Sequence, residues 1–169
     1  PKLKAQYIDS NTYPVEMSDY ILEYFEENNI ELKDVRLYNE YNYGSYLLYR
    51  GIPVFIDSRC DLYAPEYNGG RDIFMDFIKS SNLSIWFEST FKKYDINYVI
   101  LYKDSKMNMI IKEANLEGYK LLKQDSKFVF YKIERIEFYE TKKYISCCTL
   151  RIMYNRILRY CKCRERYCY

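Results

Sequence analysis

The residues best suited to chemistry in this chain form a short alternation, Asp57-Ser58-Arg59-Cys60-Asp61, closed by Tyr63. In extended backbone every second residue shares a face, so Asp57, Arg59 and Asp61 are predicted to point the same way. A guanidinium fork matches a carboxylate, so the cluster reads either as an ion-pair knot that fixes a loop or as a polar binding site. Two carboxylates could also divide acid and base roles. A second polar cluster, Asn39-Glu40-Tyr41-Asn42-Tyr43-Gly44, offers groups that hydrogen-bond sugar hydroxyls or a peptide. It also reads as a plain turn leading into a helix. With one glycine and no following lysine it is no phosphate cradle. The candidate site is therefore Asn39, Glu40, Tyr43, Asp57, Arg59, Asp61 and Tyr63, as ligand contacts or as a structural knot.

Other chemistries are excluded by composition. The chain has 169 residues and no histidine, which removes Ser-His-Asp triads, Cys-His pairs and His metal ligands. Five of the six cysteines fall after Glu134, with zero, twelve, one and four residues between neighbours, a pattern unlike a zinc site. No metal and no cofactor is expected. The net charge of +2 argues against nucleic acid as a partner. The 22 tyrosines could make an amphipathic surface facing a membrane, a sugar or a partner; a bias in the coding sequence would raise them too.

These clusters need elements to hold them. Residues 1–12 read as a lead-in. Pro14 is placed to open a helix carrying Val15, Met17, Tyr20, Ile21, Tyr24 and Phe25, ended by Asn28-Asn29. Asp34–Asn39 reads as a strand, Glu40–Arg50 as a helix ended by Gly51, and Val54–Ile56 as a buried parallel strand. Asp72 caps a helix, another starts near Ser84, Asn97–Tyr102 is a central strand, and Met107–Ala114 a helix. Tyr119–Lys123 and Phe128–Ile133 form a hairpin across residues 124–127. The alternation predicts an α/β fold: a three-layer sandwich with a mixed, mainly parallel sheet of about five strands and a C-terminal antiparallel hairpin. Asn39 and Asp57 would then lie outside the carboxyl ends of parallel strands, where open α/β sheets collect ligands. The domain is expected to span 13–133. The tail 134–169, with nine Lys/Arg against four Asp/Glu, is basic, cysteine-rich, and helical or disordered. The first residue is Pro1 rather than Met, so the chain is expected to be a processed product or a piece of a longer protein. No stretch has the 18 apolar residues of a membrane span.

The run Tyr-Asn-Tyr-Gly-Ser-Tyr-Leu-Leu-Tyr-Arg-Gly (41–51), with Val-Phe-Ile-Asp-Ser-Arg-Cys-Asp-Leu-Tyr (54–63), resembles the soluble C-terminal domain of bacterial polytopic glycosyltransferases of the GT-C type. These are relatives of the dolichyl-phosphate-mannose–protein mannosyltransferases. Tyr13-Pro14-Val15-Glu16 and Tyr98–Tyr102 fit the same domain, and the resemblance covers residues 13–133. It implies an extracytoplasmic domain at the cell membrane, following many membrane helices of the same polypeptide, in an enzyme that transfers a sugar from a polyprenyl-phosphate donor. The catalytic carboxylate of such enzymes belongs to the membrane portion, so this chain would be an accessory or acceptor-recognition domain. Cys60 stands where the family pattern suggests a small residue such as Ala, and the tail matches nothing in that pattern. Two rivals stand beside it: a non-enzymatic module docking a protein partner or membrane surface, and a small free-standing α/β enzyme using Asp57 and Asp61.

Overall fold

A computed structural model describes residues 8, 9 and 12–134. Apart from Glu134, the tail expected from residue 134 onward, with its cysteines, and most of the expected lead-in lie outside the described residues.

The first helix, α1 (Val15–Glu27), buries Met17, Ser18, Ile21 and Phe25, the stripe that its spacing predicts. Pro14 sits one position before the helix, where its carbonyl takes the Ser18 N–H at 2.8 Å and the Ser18 hydroxyl at 2.6 Å. At the other end Asn29 adopts φ +53°, and the Ile30 N–H reaches back to the Phe25 carbonyl. That left-handed closing residue is why the Asn-Asn pair ends the helix.

Of the expected strand 34–39, only β1 (Leu37–Tyr38) is strand; Leu32–Asp34 is a 3-10 turn. Helix α2 (Tyr41–Tyr49) follows and ends at Gly51, φ +80°. Gly51 N–H bonds Leu48 C=O and Ile52 N–H bonds Leu47 C=O, a closure that needs the positive φ. Helices α3 (Ile73–Ser81) and α4 (Phe87–Lys93) come next, α3 capped by the Asp72 carboxylate at the Met75 N–H. Strand β2 (Tyr98–Tyr102) leads to α5 (Lys106–Glu113), capped by Ser105. Strands β3 (Tyr119–Gln124) and β4 (Phe128–Ile133) form the predicted hairpin. Its turn is held by Asp125, whose side chain accepts the N–H groups of Lys127 and Phe128.

The fold is mixed α/β, with five α-helices and four strands among the described residues. The sheet order is β1-β2-β4-β3. Two expectations need correction. First, the sheet is not mainly parallel: β1 pairs with β2 in parallel, but β2–β4 and β3–β4 are antiparallel. Second, Val54–Ile56 is extended and packed, yet forms no strand. Pro53 has no N–H to give a ladder, and the Asn39 side chain occupies the place that a strand partner would take.

Alternate residues of the central strands serve two apolar clusters. Tyr98 and Ile100 of β2 and Phe128 and Phe130 of β4 join Met17, Ile21 and Phe25 of α1 and Tyr43 and Leu47 of α2. Val99, Leu101, Val129 and Tyr131 join Phe77 of α3, Phe87 and Phe91 of α4, and Met107 and Ile111 of α5. Tyr38, Tyr43, Tyr46, Tyr98 and Tyr131 lie inside, where each buried hydroxyl needs a partner. Tyr38 pairs with Ser80 at 3.1 Å, and Tyr131 donates to Asn108 at 2.7 Å. Tyr94 donates to Asp76 at 2.5 Å.

Candidate functional site

Strand β1 stops after two residues, while β2 runs on past it. Arg36 C=O accepts from Tyr98 N–H, so residues 98, 100 and 102 direct their backbone groups toward the β1 side. Beyond Tyr38 those groups would be orphaned. Side chains take over. The Tyr43 hydroxyl donates to Ile100 C=O at 2.8 Å, and Glu40 Oε1 accepts the Tyr102 N–H at 3.2 Å. Tyr43 is fully buried. On the other side of β1, the Asn39 amide repeats the device. Its Oδ1 accepts Phe55 N–H at 2.8 Å, and its Nδ2 donates to Ile56 C=O at 2.8 Å and Glu40 C=O at 3.0 Å. Asn39 is buried completely, with both ends of its amide in use.

The segment after Ile52 is thus fastened to β1 and α2 by side chains. Ser45 Oγ lies 2.7 Å from Ser58 Oγ and accepts Ser58 N–H at 3.2 Å. Gly44 makes the close approach possible: a Cβ there would fall 2.0 Å from the Ile56 carbonyl oxygen and 3.0 Å from Asp57 Cα. Asp57, with no exposed surface, is gripped by Arg59 through its backbone N–H at 2.8 Å, Nε at 3.0 Å and Nη2 at 2.5 Å. The Arg59 guanidinium holds the Asp57 carboxyl below its usual range against the opposing effect of burial, and the Tyr63 hydroxyl adds to the lowering. Tyr63 is itself pushed up to about 12, by burial first and by its hydrogen bond to Asp57 second. Asp61 is not part of this knot. The backbone turns into a 3-10 helix at Cys60–Tyr63, which ends the alternation, and Asp61 is exposed with no ion pair among the described residues. Cys60 is an exposed free thiol.

Two clefts lie away from Asp57, at the carboxyl ends of β1 and β2. The chain leaves β1 toward α2 and one apolar cluster, and leaves β2 toward α5 and the other. Adjacent parallel strands whose following helices part in this way leave a crevice outside their carboxyl ends. A cleft of about 360 Å³ lies there, lined by Tyr38, Glu40, Tyr41 and Asn42 from the β1 side, Phe77, Ser81 and Asn82 around the end of α3, and Leu101, Ser105, Lys106 and Met107 from the β2 side. A neighbouring cleft of about 490 Å³ is lined by Glu40, Tyr102, Asp104, Ser105, Ser126 and Lys127. Glu40 lines both. Burial pushes its carboxyl up to about 7, even though the Tyr102 N–H favours the charged form.

Of the seven residues named from sequence, Glu40 alone faces this crevice. Tyr63 lines a separate groove between Val35–Leu37 and Pro53–Phe55. Asn39, Tyr43, Asp57 and Arg59 are joined by the hydrogen bonds that build the edge, and neither cleft nor the groove is lined by Asp57. Sequence reasoning missed Ser81, Asn82, Ser105 and Lys106. For Ser105 and Lys106 the signal was the turn-and-cap run Tyr102-Lys103-Asp104-Ser105 at the carboxyl end of β2, to which the strand-end rule applied equally; Ser81 and Asn82 sit at the end of α3, which that run does not mark. No group of three or more metal-ligating side chains occurs among the described residues. No helix among them is long and apolar enough to cross a membrane. In comparisons with known proteins, no family model, no curated protein and no solved structure matches the chain.

Proposed function

We propose that this chain is an acceptor-recognition domain whose crevice at the β1–β2 carboxyl ends binds a hydroxyl-rich, sugar-sized ligand. We propose further that it serves as the extracytoplasmic accessory domain of a membrane glycosyltransferase using a polyprenyl-phosphate sugar donor. The observation that carries the first statement is the lining. A half-buried carboxyl, the Lys106 side chain, two amides and two serine hydroxyls surround an apolar patch and tyrosine rings in about 360 Å³. That volume lies at the small end of the roughly 300–1,000 Å³ typical of small-molecule sites. Asp57, neutralised by Arg59, has an anchoring role and no part in acid–base chemistry.

The membrane context rests on the sequence resemblance, and one packing observation supports treating its two pieces as a unit. Gly44 and Ser45 of the first piece contact Ile56, Asp57 and Ser58 of the second. The three-layer reading of the fold belongs with it, because helices contribute to the apolar clusters on both faces of the sheet. The test is a ¹H–¹⁵N titration with a panel of monosaccharides and short oligosaccharides. Shifts gathered at Asn42, Asn82 and Ser105 are expected; no shifts, or shifts elsewhere, remove the recognition role. A coding region upstream of Pro1 without a series of membrane spans removes the membrane context.

A further inference from the structure

Resting on the crevice reading above, we infer that the group taken by the crevice is the acetamido group of an N-acetylated sugar, with Glu40 bound to it as the neutral acid. Glu40 takes part in no ion pair among the described residues. Its Oε1 holds the Tyr102 N–H. Among the described residues its Oε2 has no hydrogen-bond partner and is not sealed in, since the one fully buried side-chain oxygen or nitrogen left without a partner there is Thr90 Oγ1. Glu40 lines both clefts, so its side chain is open to a ligand that fills them.

A ligand that fills the crevice removes the remaining water from this oxygen. A carboxylate stripped of water there without a paired cation is disfavoured, so the acid takes up a proton instead. A neutral carboxyl has one O–H to donate, which calls for a ligand carbonyl. Phe77, Leu101 and Met107 line the same cleft and offer a methyl-sized apolar contact. Asn42 and Asn82 offer amide oxygens to a ligand N–H. Carbonyl, methyl and N–H within one small group describe an acetamido substituent, and the Tyr41 ring offers a face for the C–H side of the sugar. The other titratable groups around Glu40 are Tyr38 of β1, Tyr41 and Tyr43 of α2, Tyr102 of β2, Lys106 of α5, and Asp104 and Lys127 in the turns. Replacing Glu40 isolates its share from theirs.

The experiment titrates the full chain with N-acetylglucosamine, glucosamine and glucose at pH 5.5 and pH 8.5, following ¹H–¹⁵N shifts to obtain Kd. N-acetylglucosamine is expected to bind roughly ten-fold or more tightly at the lower pH, as for a ligand that requires one proton on a group titrating between the two. The other two sugars should lack this gain. Glu40→Gln, which carries a permanent donor, should keep the preference for the acetamido sugar and lose its pH dependence. The protein's own ¹H–¹⁵N spectrum reports that the variant is folded. Glucose binding as tightly as N-acetylglucosamine at both pH values overturns the inference and leaves the crevice reading standing. So does a pH dependence that survives Glu40→Gln. If no sugar shifts the crevice residues, the crevice reading falls and the inference with it.

Discussion

Two adjacent residues, Asn39 and Glu40, do opposite things with similar atoms. The Asn39 amide has no net charge to lose on burial, and it replaces main-chain partners on Phe55 and Ile56. Asn39→Ala leaves an N–H and a C=O without partners, at about 1–3 kcal/mol for each buried group. A matching fall in urea midpoint is expected. Asn39→Asp keeps the acceptor for Phe55 N–H, loses the donor to Ile56, and should also be destabilised. Glu40 has a charge to lose. Its pKa rises on folding from the usual 4.5 to about 7, so between those values the folded state binds the proton that the unfolded chain has released. The Glu40 contribution therefore weakens folding progressively as pH rises from about 4.5 to about 7, by on the order of 3 kcal/mol at most. Glu40→Gln keeps an oxygen for Tyr102 N–H and carries no charge. It is expected to be more stable than the parent at pH 8 and nearly equal at pH 4.5, measured by urea unfolding at both.

At the scale of elements, α2 is defined by what docks on it. Gly44 lies inside a helix, where glycine ordinarily costs about 1 kcal/mol against alanine. Here alanine is the worse choice, because its Cβ would meet a backbone oxygen that no rotamer change can move. Gly44→Ala should destabilise by about 1–3 kcal/mol or more and release the Ile56–Ser58 segment, seen as faster amide exchange there. Asp57 belongs to the same joint. Its depressed pKa means that stability it adds at neutral pH is lost as pH falls through the folded value, so Asp57→Asn should flatten the acid limb of the unfolding profile.

What was legible in the sequence follows from the range of each interaction. The α1 stripe, the Gly51 stop and the hairpin turn at Asp125 are local, and their signals lie within a few residues of what they determine. The Val54–Ile56 run was different. Continuous apolarity reports burial, and burial is correct there, but it does not say which group will take the backbone hydrogen bonds. The amide that takes them sits sixteen residues away at Asn39. Asp61 misled for a related reason: alternation implies a shared face only while the backbone stays extended, and a 3-10 turn begins at Cys60.

For the whole molecule, the sheet is the frame and its order assigns its stability. Strand β2 has neighbours on both sides, whereas β3 is an edge, carries Lys120 and Lys123, and has an irregular register between Leu121 and Lys123. Those are features that discourage another chain from pairing with an edge. Native-state amide exchange is expected to be slowest at Val99 and Leu101 and fastest in the sheet along β3. The tyrosines act at this scale too. Rings fill both apolar clusters while their hydroxyls tie elements together, β1 to α3 through Ser80 and β4 to α5 through Asn108. That is how so tyrosine-rich a chain buries its rings without stranding their oxygens.

The brevity of β1 has one more consequence. A main-chain ladder is nearly indifferent to residue identity, so ordinary mutation barely edits it. Past Tyr38, the sheet's continuation is written in Asn39, Glu40 and Tyr43, and each bond there is encoded by a single codon. The rim beside the crevice can therefore be reshaped one substitution at a time while the strands behind it keep their register.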